Sequence, residues 1–202
     1  MLPPFKTNPV NWVDGMKINK DHFLHTDKHF AETIRDARAL QLNDFNYGLC
    51  PSHEEGSSSL SISLSVDASK VIRAVLSFCR AVTPGGYRME FGYQKPIKVN
   101  ADTSQLNAEL SFDDSKENTF YVLLHMSSRQ IPIGQPDSEE IPPRIPYVTS
   151  EYTIQILPES QINLHDSLGN SLLLGKFRRV SGKMKVDEKF IPPCTRVRSF
   201  QK

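Results

Sequence analysis

A chain of 202 residues, 38% hydrophobic and 23% charged, is long enough to bury a sizeable core and has the composition of an ordinary globular protein. Its formal net charge of +1 supplies no overall field toward nucleic acid or an acidic surface. Cys50, Cys79 and Cys194 lack CxxC spacing, the first residues lack a leader pattern, and no apolar run nears the roughly 18 residues that span a bilayer, so a cytoplasmic protein with reduced thiols is expected.

Residues 1–18 are rich in Pro and Asn and read as an extended arm whose large apolar groups are Phe5, Val10 and Trp12. Trp12 and Met16 flank Asp14-Gly15, a dipeptide suited to a tight turn because Gly accepts positive φ. An indole set by a turn beside a helix start is either a core plug or an anchor for a partner. Full burial would stabilise by roughly 4–6 kcal/mol, from about 150–250 Å² at about 25 cal/mol per Å². Asn19 is a good N-cap, with Asp21 adding negative charge to the first turn, so a helix is expected over 20–42. Phe23, Phe30, Ile34, Ala37 and Gln41 recur at helical spacing opposite Lys28, Glu32, Arg35 and Arg38, a stripe expected to lie on the rest of the protein. Turn-forming residues 43–48 end the helix.

The remainder reads as strands. Leu60, Ile62, Leu64 and Val66 alternate with serines, a period of two that buries one face. Residues 71–82 are apolar enough for a helix or for a strand covered on both faces, and β-branched Val71, Ile72, Val75 and Val82 favour strand. Thr83-Pro84-Gly85-Gly86 marks a turn, with residues 87–93 returning as hairpin partner. Leu106, Ala108, Leu110 and Phe112 alternate again, and the continuous apolar run 119–126 predicts a central strand. Residues 127–146 hold five prolines and read as a long surface excursion, a second candidate for function. Tyr152, Ile154 and Ile156 give a strand ended by Pro158, and 172–180 with 183–186 form a closing hairpin around Ser181-Gly182. Many short strands at this spacing imply a mainly β protein, a β-sandwich or barrel with one amphipathic helix packed on it.

Motifs that carry chemistry are weak. His22, His25 and His29 share one side of the helix, a spacing open to a divalent metal, yet a turn-orienting hydrogen bond for His22 and solvation for the others is the simpler reading. His125 in an apolar strand is expected to be a satisfied core histidine, and no Gly-x-Ser-x-Gly pattern accompanies Gly56-Ser57-Ser58. Phosphate-binding glycine patterns are absent, and Lys176-Phe177-Arg178-Arg179 is a poor nucleic-acid patch. No catalytic, cofactor-binding or metal-binding residue is assigned. Residues 176–202 carry nine Lys or Arg against Asp187 and Glu188, hence +7, which leaves −6 for the preceding part. A basic end of that kind is expected to be a solvated face.

Three stretches carry a family resemblance: Trp12, Asp14-Gly15, Met16, Ile18, His22-Phe23 and Asp27; then Asn46-Tyr47-Gly48-Leu49; then Asp187-Glu188-Lys189-Phe190-Ile191-Pro192-Pro193-Cys194. In this order they resemble TssK, the trimeric baseplate subunit of bacterial type VI secretion systems. The family follows its His-Phe with glutamines, whereas Leu24-His25-Thr26 stand here, as in a divergent branch. The resemblance implies a β-sandwich shoulder like that of phage receptor-binding proteins, over 19–195, with an arm at 1–18 and the start of a helical neck at 196–202. It implies a non-enzymatic adaptor with no cofactor, joined to the wedge proteins TssF and TssG, trimeric through a neck, and linked to a membrane complex by a head beyond this chain. The expected partner-binding residues are Phe5, Trp12, Asp14, Gly15, Met16, His22 and Phe23, because large aromatics beside a rigid scaffold dominate interface energies. The rival reading is a carbohydrate-binding or hydrolytic β-sandwich, with Tyr87, Phe91 and Tyr93 as solvent-facing aromatics.

Overall fold

In the computed structural model, which describes residues 4–51, 58–92, 105–113, 117–137, 139, 141–162, 169–196 and 199, the long strand β3 (Val71–Val82) is the spine of the first sheet. Each of its edges is shared by two shorter strands. β2 (Leu60–Val66) and then β1 (Gly48–Leu49) line one edge, and β5 (Leu106–Ser111) and then β4 (Arg88–Phe91) line the other. All four pairings are antiparallel. The second sheet has the order β7-β6-β8-β9, with β6 (Thr119–Ile133), β7 (Tyr147–Pro158), β8 (Ser171–Val180) and β9 (Lys183–Val186) also antiparallel. A 3-10 turn, Glu159–Gln161, succeeds β7.

The two sheets close over one core in which Ile72, Leu76, Met89, Val122, Leu124, Leu172 and Phe177 are almost fully buried. The expected β-sandwich is therefore the fold. Burial along β3 explains why its sequence looked two-sided. Ile72, Ala74 and Leu76 point inward, then an irregularity opposite Ser61 and Ile62 shifts the phase, and Cys79 and Ala81 point inward instead. One extra residue in a ladder exchanges the two faces of a strand. Gly92 stands beside this step: a Cβ there would meet Ser77 O at 2.0 Å.

Three expectations need revising. The helix α1 runs Lys20–Ala39 and ends three residues early, with Leu40, Gln41 and Leu42 in a closing turn. The proline-rich excursion does not begin at residue 127. β6 continues to Ile133 and stays paired with β7 through Pro132↔Val148 and Ile133↔Tyr147. Pairing of β6 with β8 stops at His125↔Ser171, so Pro132 sits where β6 has only one neighbour and its missing N–H breaks no second ladder. The result is a two-stranded ribbon that projects from the sheet and carries exposed Ile141, Tyr147 and Val148.

The surroundings of α1 also differ from expectation. Its predicted stripe faces solvent: Phe23, Phe30 and Ile34 are 58%, 59% and 51% exposed, and Ala37 and Gln41 are exposed too. Arg35, assigned by the periodicity to the wet face, is buried together with Asp36. Among the described residues the helix meets the sandwich near its C-terminal end, through Arg35 and Ala39, so its burial tracks that foothold and not the amphipathic pattern.

Candidate protein-interaction surface

The foothold is the turn between β3 and β4. Gly86 has φ +81° and lies so close to α1 that a Cβ would stand 2.4 Å from Arg35 O and 3.0 Å from Ala39 N. Arg35 Nη2 pairs with Asp36 Oδ1 at 2.5 Å, Arg35 Nη1 donates to Tyr87 Oη at 3.2 Å, and the guanidinium lies 5.7 Å from the centre of the Tyr87 ring. Burial alone lowers the Arg35 pKa, but the hydrogen bonds to Tyr87 and Asp36 outweigh it and leave the pKa raised, so the charge is held. Behind the turn, Thr83 Oγ1 donates to Gly169 O at 2.7 Å and Gly85 N donates to the same carbonyl at 3.0 Å. The sandwich thus presents a rigid socket for one end of α1.

The other end is built as a hairpin with the arm. Asn19 Oδ1 accepts from Asp21 N at 3.0 Å and His22 N at 3.2 Å, while His22 Nδ1 accepts from Asn19 N at 3.2 Å, a capping box with imidazole in the usual carboxylate's place. Before it, Met16 N donates to Val13 O at 3.2 Å across Asp14-Gly15, with Gly15 at φ +76°. That turn reverses the chain, and the arm runs antiparallel along the helix. Trp12 packs on His22 and Phe23 at ring separations of 6.0 and 6.4 Å. Nearer the sandwich, Glu32 accepts from Lys6 N at 2.9 Å and Thr7 N at 3.2 Å, His29 Nδ1 bonds Thr7 O at 3.0 Å, and Phe5 lies 5.7 Å from the His29 ring.

Of the seven sequence-predicted site residues, Trp12, His22 and Phe23 meet at the hairpin tip, with Asp14, Gly15 and Met16 in the adjoining turn. Phe5 lies apart, about two helical turns along the helix from them. Trp12 is 49% exposed, so it is neither a core plug nor bare. Phe23, Phe30 and Ile34 continue its surface along about 16 Å of helix at 1.5 Å per residue. Sequence reasoning missed Phe30, Ile34 and Val13 as surface groups because an amphipathic period identifies a stripe without saying what covers it.

Among the described residues, the aromatics of the rival platform are engaged elsewhere. Phe91 is buried against Tyr152 at 5.8 Å, Tyr87 is engaged with Arg35, and Tyr93 lies outside the described residues. His125 Nδ1 is 2.9 Å from Ser171 Oγ, the satisfied arrangement expected of it. His29, expected in solvent, instead tethers the arm. Of Gly56-Ser57-Ser58 only Ser58 is described, and its hydroxyl donates to Leu60 O at 2.8 Å. Among the described residues no group of three or more His, Cys, Asp or Glu is placed to hold a metal, and no helix is long and apolar enough to cross a membrane. Burial pushes the Cys79 thiol up to about 12 and also raises Cys50 and Cys194.

The second and third motif stretches converge at one corner of the sandwich. Leu49 N donates to Pro193 O at 2.7 Å, Thr195 N donates to Leu49 O at 2.9 Å, and Leu49 and Cys194 form a parallel bridge. Gly48, at φ +111°, is needed there, since a Cβ would fall 2.0 Å from Pro193 O. The same architecture occurs in solved structures. A crystal structure of TssK matches with a TM-score of 0.54 and 16% identity over 93% of this chain and 42% of that one. The fold is TssK-like. A cryo-electron microscopy structure of the type VI secretion system TssK-TssF-TssG baseplate subcomplex matches with a TM-score of 0.54 and 12% identity over 94% of this chain and 62% of that one. The present chain thus spans about half the length of the TssK-like structures it matches. No protein-family model matches the sequence, and neither does any curated protein.

Proposed function

We propose that this chain is a structural adaptor of a type VI secretion baseplate, a shoulder domain that attaches a TssK-like trimer to a wedge of TssF and TssG on the cytoplasmic side of the cell envelope. The observation that carries the reading is an exposed apolar hairpin, held at one end by a rigid socket, on a fold shared with a protein solved in a TssK-TssF-TssG complex. Its domain plan is an arm at 1–18, the shoulder at 19–195 and the beginning of a neck at 196–202. The work is binding and not chemistry. Neither catalysis nor a cofactor enters the reading, and contact with a membrane complex belongs to a head outside this chain.

Trp12 and Phe23 at the hairpin tip, with Phe5, Met16 and the Asp14-Gly15 turn, are the wedge anchors in this reading. Half-exposed aromatics on a preorganised support lose little entropy on binding and desolvate a large area, which is how a few residues come to carry most of an interface. The test is co-purification of the chain with co-expressed TssF and TssG, beside Trp12→Ala, Phe23→Ala and a ribbon deletion of residues 135–145. Retention by the wild type and the ribbon deletion, with loss by both hairpin variants, is expected. Loss only on deleting the ribbon would move the interface there.

A further inference from the structure

Two histidines of α1 are held through the same ring atom by opposite hydrogen-bonding demands. His22 Nδ1 lies 3.2 Å from Asn19 N, and His29 Nδ1 lies 3.0 Å from Thr7 O. A backbone N–H can only donate and a backbone carbonyl can only accept. The first contact therefore requires a bare Nδ1 on His22, with the ring proton on Nε2. The second requires a proton on Nδ1 of His29. An imidazolium carries protons on both nitrogens, so it satisfies the His29 contact and abolishes the His22 contact.

The surroundings of the two rings sharpen the contrast. His22 is the third residue of the helix, where positive charge works against the aligned peptide dipoles. The titratable groups of the tip are Asp14 and Lys17 on the arm's turn and Lys20, Asp21 and His25 on the helix. The two carboxylates and the two ammoniums offset each other, and among the described residues none of the five is ion-paired with His22. Attraction of an imidazolium to the Trp12 ring, 6.0 Å away, still leaves Asn19 N without an acceptor. Around His29 the titratable groups are His25, Lys28 and Glu32 on the helix and Lys6 on the arm. There Thr7 is held twice, by Glu32 at its N–H and by His29 at its carbonyl, and neither bond is lost when His29 gains a second ring proton.

We propose that His22 is a proton-sensitive positioning residue for Trp12. With a neutral ring it completes the capping box and fixes the hairpin tip; on taking a proton it releases the tip, while His29 keeps the arm tethered at Thr7. The tip is therefore ordered at higher pH and loosens as pH falls through the range in which histidine changes charge. Release frees the backbone that carries Trp12 and the Asp14-Gly15 turn, and the aromatic anchor loses its fixed direction. The consequence for binding rests on the wedge reading, whereas the latch is a property of this chain and is tested on it alone.

The experiment is a ¹⁵N NMR titration of the full chain from about pH 8 to about pH 5, beside His22→Gln and His22→Ala. At the alkaline end, ring nitrogen spectra should show Nε2–H at His22 and Nδ1–H at His29. On acidification, protection of the Asn19, Asp21 and His22 amides, corrected for intrinsic exchange, should fall about fivefold, the loss of one capping contact. Fluorescence anisotropy of Trp12, the single tryptophan, should fall with it, while the Lys6 and Thr7 amides keep their protection. Gln is a usual capping-box partner and does not titrate, so His22→Gln should hold the tip ordered throughout, and His22→Ala should leave it loose at both ends. A proton on Nδ1 of His22 at the alkaline end, the same acid step in His22→Gln, or equal loosening at Thr7 and at the tip would overturn the proposal. Failure of TssF and TssG to co-purify with the chain leaves all of these signals in place, so the two readings fail separately.

Discussion

The sandwich and the arm–helix hairpin use the same kinds of residue to opposite ends. In the sandwich, Phe177, Ile72 and Leu76 are fully buried between two sheets. In the hairpin, Phe23, Phe30, Ile34 and Trp12 are each about half exposed, and order comes from hydrogen bonds between the arm and Glu32, His29 and the capping box. Hydrophobicity holds the first region together, whereas in the second polar contacts hold hydrophobic groups on display. Contiguous exposed apolar surface on a soluble protein marks an interface. Truncating an apolar side chain should therefore weaken the fold in one region and recognition in the other.

The largest effect on stability is expected from Phe177→Ala, about 3–5 kcal/mol of unfolding free energy in urea titration, from lost burial and a residual cavity. Gly48→Ala should come next, with about 1–3 kcal/mol from its positive φ alone and more if Pro193 must move; an unchanged urea midpoint would refute both costs. Arg35→Met should cost about 1–3 kcal/mol by leaving Asp36 and Tyr87 without their partner. Hydrogen exchange should quicken in α1 well before β3, and equal acceleration in both would break the division between the two regions. Alkali supplies a fourth test. Cys79 holds its proton to about pH 12 in the native state against an ordinary 9.0, so the unfolded chain ionises first and stability should fall as pH rises from 9 toward 12. Cys79→Ala should make that slope shallower in thermal melts at a series of pH values, the remainder coming from Cys50, Cys194, Tyr47 and Tyr152, which burial also raises. Trp12→Ala should change stability least, by within about 0.5 kcal/mol, while costing about 2 kcal/mol, or roughly 30-fold, in wedge affinity by titration calorimetry.

The sandwich was largely legible from sequence because alternation reports a half-buried strand directly. Leu60 to Val66 and Leu106 to Phe112 read correctly for that reason, and the Ser181-Gly182 turn reads as a two-residue hairpin because both residues take positive φ. β3 was ambiguous because a one-residue slip hides a period of two. The ribbon was misjudged because proline forbids a strand only where both edges are paired, and edge pairing is a tertiary fact. The helix itself was legible from Asn19 and the period, but its environment was not. Arg35 and Asp36 carried no sign of burial, since what buries them is Gly86 and Tyr87, some fifty residues away. The glycines of the β3–β4 turn were read as turn chemistry, and the second use of Gly86, admitting the helix backbone, leaves no trace in local pattern.

The clasp between Gly48-Leu49 and Pro193-Cys194 has a mechanical consequence. Its two segments run parallel, so a pull on the chain before Gly48 and after Thr195 would drag them in opposite directions along their length. The bonds from Leu49 N to Pro193 O and from Thr195 N to Leu49 O would then be loaded together in shear rather than one after another. Tension passing from the helix side of the sandwich to the chain beyond Thr195 is carried across this corner, and the two sheets between those points are spared the load until the corner gives way.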